Sequence, residues 1–361
     1  MGVKEVRTPS YPCQLLRKVI VSTAMKAKFG ISLSNRAVLF GWTTIDDLIE
    51  AARVAEESGY FHSVWVGDNL LSKPRVEAIV TLSAIAAHTR KVKLGTICMA
   101  SFPLRHPILL AMQWASLDVL SKGRTILAVC NGGSASFGPQ FAAELEALGV
   151  PSQERVGRLI EGIQILRRLW SEERVSHRGK YYQFSEVELL PKPVQQPLPI
   201  LIAANPKPGQ SDEATVERIL QRVARYADGW QTDCTPAETF RERFNKIREY
   251  AVKLGRDPST LESCLHLYVN INDDREQAYQ EAQAFLTEYY GAGTISQERA
   301  EVWLAYGPPD TVIEKIQSYI DAGCTMPVLR FVSPDLKGQM QRCIEEVLPA
   351  FRAEAVVQTP G

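Results

Sequence analysis

The chain lacks an excess of either charge, since 41 basic residues meet 41 acidic ones. A protein that grips a phosphate backbone carries a basic surplus or a Lys/Arg stripe, so nucleic acid is excluded as a partner. Long apolar runs are missing too. The start offers only Val19-Ile20-Val21 after Arg17-Lys18, too short for a signal peptide or an anchor, and no membrane association is expected. Cys13, Cys98, Cys130, Cys234, Cys264, Cys324 and Cys343 form no CxxC pair and no Cys/His cluster with metal spacing. They read as small buried hydrophobes of a cytoplasmic protein, and no metal site is expected. Also absent are a carboxylate pair, a Gly-x-Ser-x-Gly elbow and a Gly-x-Gly-x-x-Gly nucleotide fingerprint.

What is present is alternation. Short β-rich runs and amphipathic helical runs follow one another from Met25 onward, the pattern of repeated βα units around a parallel sheet. Eight strands are predicted, over 28–33, 63–68, 92–99, 125–132, 199–205, 227–232, 264–272 and 326–333. Most are continuous apolar runs, as strands buried on both faces must be. The fold class is therefore α/β, a single (β/α)8 TIM barrel, with residues 25–352 as one domain. Residues 1–24 read as a leader, disordered or preceding the natural start, and 353–361 as a tail.

Helix ends are legible. Thr44 with Asp47 resembles a capping box, and Gly59 closes that helix. Val156, Leu159, Ile160, Ile163, Leu166 and Trp170 fall on one stripe of another helix and belong to the core. After it, residues 175–184 predict a β-hairpin turning at Gly179, and the proline-rich 191–199 an extended connector. Together they form an insertion between strands 4 and 5, which carries His177 on an exposed surface.

In such a barrel, chemistry sits where the strands end. The residues there are Ser34, Asn35 and Arg36; Asp68 and Asn69; Arg105 and His106; Asn131, Gly132 and Gly133; Asn205; Asn272 and Asp273; and Arg330 within the last strand. The set is rich in amides and glycine and poor in proton-transfer groups. That suits a bound cofactor that brings its own chemistry. Asn131-Gly132-Gly133 serves equally as a backbone approach to a ligand or as a plain turn. Arg330, inside an apolar strand, demands a partner: a buried carboxylate, or an anionic group of substrate or cofactor.

A series of landmarks carries a resemblance. They are Gly59-Tyr60 with Val64-Trp65-Val66-Gly67-Asp68, then Leu94-Gly95-Thr96 and Leu104-Arg105-His106-Pro107. Next come residues 117–124, Leu148-Gly149-Val150-Pro151 with Glu154-Arg155, Gly179-Lys180-Tyr181-Tyr182, residues 191–195, and Tyr226-Ala227-Asp228-Gly229-Trp230. In this order the chain resembles the luciferase-like flavin-dependent oxidoreductases from Met25 to Phe351. The resemblance implies a flavin pocket framed by Asp68, Thr96, Ile97, Cys98, Asn131, Gly132, Ala203, Ala204 and Asn205, with a non-prolyl cis peptide at Ile97-Cys98. It places the cofactor phosphate near residues 203–212, with Lys207, Ser211 or the start of the following helix as its holders.

Asp68 and Asn69 are the candidate catalytic pair. Family members often carry His at the second position, and Asn cannot exchange a whole proton near neutral pH, so polarisation or substrate binding is expected of Asn69. The resulting expectation is a two-component monooxygenase that takes reduced FMN from a separate flavin reductase and uses O2 on a small organic substrate. The insertion and the 206–212 loop would cover its site. The alternatives are a deazaflavin-dependent hydride-transfer oxidoreductase and a flavin-binding barrel without turnover. The family habit makes a homodimer the expected assembly.

Overall fold

The computed structural model describes residues 25–206, 211–290 and 296–352. The expected leader, the tail after 352 and Lys207 lie outside them. All eight expected strands are present: β1 (Gly30–Leu33), β2 (Ser63–Asp68), β3 (Lys93–Met99), β4 (Thr125–Val129), β7 (Ile200–Ala203), β8 (Gly229–Asp233), β9 (Glu262–Ile271) and β11 (Met326–Phe331). Each pairs in parallel with the next, and β11 with β1 and β9 with β8 close the barrel. Their residues are buried almost without interruption, because helices cover the outside and side chains fill the inside.

Inside, Trp65 occupies the axis with Ile97, Ile126, Ala128, Leu201, Cys264, Met326 and Val328. A Cβ on Gly30 would lie 2.7 Å from Trp65 Nε1, and one on Gly95 would collide with the ring, so those two glycines admit the indole. This plug separates the two ends of the barrel. The outer layer includes α1 (Ile45–Ser58), α2 (Ala78–His88), α3 (Pro107–Ser121), α5 (Arg155–Ser171), α6 (Glu213–Tyr226), α7 (Ala237–Lys253) and α10 (Pro309–Asp321). The Thr44–Asp47 capping box and the left-handed Gly59 bound α1 as expected.

Two excursions leave the βα rhythm. Between β4 and β7, α4 (Pro139–Ala147) and α5 precede the antiparallel hairpin β5 (Val175–Arg178) and β6 (Gln183–Val187). Glu161 on α5 accepts the backbone N–H of Tyr182 at 2.9 Å and lies 3.1 Å from His177 Nε2. His177 is therefore half-buried and partnered, not exposed as the sequence suggested. The second excursion was not anticipated. Between β9 and β11 run α8 (Arg275–Tyr290), α9 (Gln297–Trp303) and β10 (Leu304–Gly307), and β10 pairs in parallel with Tyr268–Ile271 of β9. An aromatic cluster of Tyr268, Phe285, Tyr289, Trp303 and Tyr306 fills the space beneath it.

Candidate active site

Two connected cavities open where the barrel strands end. One, about 580 Å³, is bordered by Ile97, Cys98, Cys130, Gly132, Ala203 to Asn205, Gln231 to Asp233 and His266. The other, about 150 Å³, lies between Ser34, Gly67, Asp68, Lys73, Arg75, Tyr289 and Arg330. Asn69, Lys73, Ile97, Cys98, Asp233, His266 and Tyr290 border both. A third, about 340 Å³, continues outward past Asn131, Asn205, Ser211 and Arg222. A larger cavity, about 710 Å³, opens at the opposite end among residues that precede the strands. Barrel chemistry belongs to the other end.

Most residues expected at the site border these cavities, and several do so in altered roles. The Ile97-Cys98 peptide is cis, as the resemblance implied. Asp68 is fully engaged: Oδ2 accepts Ser101 N–H at 2.8 Å and Oδ1 accepts Arg105 Nη2 at 3.1 Å. The carboxylate thus anchors the loop after β3, and Arg105, which also reaches Glu77 at 2.7 Å, neutralises it. Asn69 is similarly tied, donating to Ser72 Oγ at 3.2 Å and accepting from Arg75 Nη2 at 3.2 Å. It positions Arg75 instead of offering a free amide. Thr96 borders none of the three strand-end cavities, since it is buried and its hydroxyl donates to Ala128 O at 2.9 Å.

Asn131 keeps a buried Oδ1 with no hydrogen-bond partner, and Arg155 fixes the adjacent backbone by donating to Asn131 O and Gly132 O at 3.0 and 2.9 Å. Gly132 has φ +68, and a Cβ there would strike Ala100 O, so no other residue leaves this wall intact. The start of α6 cannot serve as a bare anion site, because the Asp212 carboxylate caps it through Thr215 N–H at 2.6 Å. Arg222, further along α6, borders the outer cavity; burial lowers its pKa and Tyr226 counters that. Asn272 and Asp273 border none of the strand-end cavities, and Asp273 pairs with Arg342 at the surface. Nor does any residue of the β5–β6 hairpin; the part of the β4–β7 excursion that borders the larger cavity is α4, through Gln140 and Phe141.

Sequence reasoning missed groups of a different kind. His266, in mid-β9, has an Nε2 without a hydrogen-bond partner; burial, reinforced by Arg330, pushes its pKa well below the usual value and keeps the ring neutral. Lys73 is brought down to about 8 by burial and then by Arg75. Cys98 and Cys130 form a disulfide across the ends of β3 and β4, with Cα atoms 6.1 Å apart, where the sequence suggested unpaired thiols. The mouth is therefore better supplied with titratable groups than its strand-end residues implied. His266 and Tyr268 could not be read in advance because they sit within the apolar run of β9, and Tyr289 and Tyr290 because the excursion that carries them was not anticipated.

Arg330 is 6% exposed, and among the described residues its neighbours are phenols and a hydroxyl, not the buried carboxylate that was one of the two partners anticipated. Its Cζ lies 4.1 Å from the Tyr289 ring centroid and 5.2 Å from that of Tyr268, and Nη2 donates to Ser34 Oγ at 3.3 Å. Burial pushes Tyr289 up, but Arg330 and Arg75 outweigh it and hold the phenol below its ordinary value. Among the described residues no group of His, Cys, Asp and Glu is placed to hold a metal ion, and no helix is long and apolar enough to cross a membrane.

A closed parallel barrel, with a small-residue cavity at its strand ends and a cis peptide on the cavity wall, defines a (β/α)8 barrel whose ligand-sized site lies at the strand ends. The luciferase-like monooxygenase family model matches residues 25–326, and the chain belongs to that family. Among curated relatives, an F420-dependent glucose-6-phosphate dehydrogenase from Nakamurella multipartita is 28% identical over 355 residues, covering 90% of this chain and 97% of the relative. An F420-dependent hydroxymycolic acid dehydrogenase from Mycobacterium tuberculosis is 28% identical over 328 residues, 85% of each chain. The monooxygenase RslO1 from Streptomyces bottropensis shares the fold, with a TM-score of 0.73 at 24% identity over 90% of this chain and 99% of that one.

Proposed function

We propose that the protein is a deazaflavin-dependent oxidoreductase that moves a hydride between the coenzyme and a carbinol or carbonyl carbon of a small substrate. The observation that carries this reading is the run of F420-dependent dehydrogenases among relatives matched over most of their length. It favours the deazaflavin alternative over reduced FMN with O2. The residues present fit such a coenzyme. Ala203, Ala204 and Gly132 leave room for a ring against Ile97-Cys98, while Asn131 Oδ1 and Gln231 Oε1 are buried acceptors without partners. Ser211 and Arg222 border the cavity into which a phosphate arm would extend.

When bound, the coenzyme supplies a ring that accepts or returns a hydride. The chain's own part is to orient the substrate and its hydroxyl. Oxidation of an alcohol breaks its C–H bond and releases the hydroxyl proton. His266 Nε2, neutral and without a partner among the described residues, accepts the hydrogen bond of that hydroxyl and orients it; its depressed pKa keeps it from holding the proton, which passes to solvent at the open mouth and returns from there in the reverse direction. Asn69, tied to Ser72 and Arg75, is not free for that role.

The test is a paired equilibrium titration of the purified protein with coenzyme F420 and with FMN, followed by fluorescence. Binding of the deazaflavin at least about tenfold tighter is expected. Preferential FMN binding, together with an altered reoxidation of reduced FMN by oxygen, would overturn the reading in favour of the two-component monooxygenase.

A further inference from the structure

Hydride transfer leaves one part of the mouth unused. Arg330, Lys73 and Arg75 border the smaller strand-end cavity from β11 and the loop after β2, and Arg36, from the loop after β1, stands behind its wall against Tyr289. Arg330 is almost fully buried, its Nε has no hydrogen-bond partner, and its surroundings are phenols, two of them stacked under its guanidinium. Arg36 also lies against Tyr289, 5.2 Å from the ring centroid, with Nε and Nη1 buried and without a partner among the described residues. Arg75 donates to Asn69 and to Lys73 O, and its guanidinium lies where a Cβ on Gly67 would be. Lys73 Nζ rests 4.7 Å above the Tyr290 ring.

Against these four cations stand two carboxylates. Asp68 is neutralised by Arg105, and Asp233 accepts from Asn205 Nδ2 at 3.0 Å. Burial pushes Tyr268 and Tyr290 up, so both remain neutral phenols and cannot balance the charge, while Tyr289, held below its ordinary value by Arg330 and Arg75, can offset one cation at most. Cation–ring contacts offset only part of what burying a guanidinium costs, and a built site of this kind calls for an anion.

We propose that Arg330, with Arg36, Lys73 and Arg75, binds an oxyanion carried by the substrate (a carboxylate, phosphate or sulfate) and thereby anchors the substrate beside Ile97-Cys98. The substrate class is then a small hydroxy or oxo compound with an anionic head, an assignment that rests on the hydride-transfer reading for its reacting end only. Arg330 forms the floor with Arg36 behind it adding positive charge, and Lys73 and Arg75, half-buried, form the rim through which the head enters. The shared border at His266 and Asn69 sets the distance between head and reacting carbon.

Calorimetric titration of the full chain with inorganic phosphate in a low-salt cationic buffer tests this without any coenzyme. One site per chain is expected, weakened about tenfold or more by Arg330→Met and also by Arg75→Met and Lys73→Met, while Lys28→Met at the opposite end leaves it unchanged. Should Arg330→Met not fold, the two rim variants decide. The titration is repeated on protein loaded with coenzyme F420, or with FMN if that is what binds. Undiminished phosphate affinity assigns the cluster to substrate, and loss of phosphate binding assigns it to the coenzyme's own anions and overturns the proposal. No measurable binding at about 10 mM phosphate, or rim variants that bind as wild type does, overturns it as well. Phosphate binding without deazaflavin binding removes the coenzyme reading and leaves the anion site standing.

Discussion

His266 couples the site to the acid stability of the barrel. Burial and Arg330 hold its folded-state pKa well below 6.5, and the groups facing it are Arg330 on β11, Asp233 opposite it on β8, and Lys73 and Tyr290 at the mouth. Below about pH 6.5 the unfolded chain takes up a proton that the folded chain refuses, so stability falls as pH falls, by up to about 1.4 kcal/mol per pH unit for this group. His266→Gln removes that dependence. Denaturant midpoints of the two proteins, measured between pH 7 and 5, are expected to converge as the pH drops; parallel curves would show that the imidazole titrates normally. Lys73 works in the other window. Burial and Arg75 bring it to about 8, so its charge is present below that pH and lost above it. Phosphate affinity is expected to fall between pH 7 and 9, and Lys73→Met to flatten the fall. Tyr289, held low by its two guanidinium neighbours, contributes in the same direction and accounts for what slope the variant keeps.

At the scale of elements, the loop that carries Asn69, Lys73 and Arg75 owes its shape to α4. Glu144, buried, accepts the backbone N–H groups of Leu70, Leu71 and Ser72 through Oε1 at 3.1, 2.7 and 3.1 Å. Glu144→Ala strands these donors and is expected to cost about 2–3 kcal/mol, with a parallel loss of phosphate affinity because the rim cations follow the loop. Glu144→Gln keeps an acceptor oxygen and retains most of both. An alanine variant that lost stability and kept its phosphate affinity would detach α4 from the site. None of this was legible in the sequence, where Glu144 stands 72 residues or more from its partners. The strands were legible for the opposite reason. Val64-Trp65-Val66 and Thr125-Ile126-Leu127-Ala128-Val129 are continuous apolar runs, a signal local to each strand. β10 escaped notice because Leu304-Ala305-Tyr306-Gly307 is short and gains its identity only by pairing with β9, and the same excursion delivers Tyr289 and Tyr290 to the mouth.

The whole molecule is closed twice, once by its sheet and once by its sulfurs. Lys26 N–H donates to Phe351 O at 2.9 Å, and Phe29 meets the Phe351 ring at 5.1 Å, so the two ends of the described chain clasp beneath the plug. At the other end the Cys98–Cys130 disulfide joins β3 to β4 across 32 residues and lies on the wall of the larger strand-end cavity. Cross-linking a loop of that length removes unfolded-state entropy worth about 3–4 kcal/mol on the chain-entropy account. Its position also makes it a wall of the site, and reduction would leave two thiols facing the larger strand-end cavity. Alkylation of the denatured, unreduced chain, followed by peptide mapping, is expected to spare Cys98 and Cys130 and to modify both after reductant. Reduction of the native protein should lower the denaturant midpoint and weaken coenzyme binding together, because one bond serves both ends. Alkylation of both cysteines without reductant would return them to the role the sequence first suggested, small apolar side chains lining a barrel mouth.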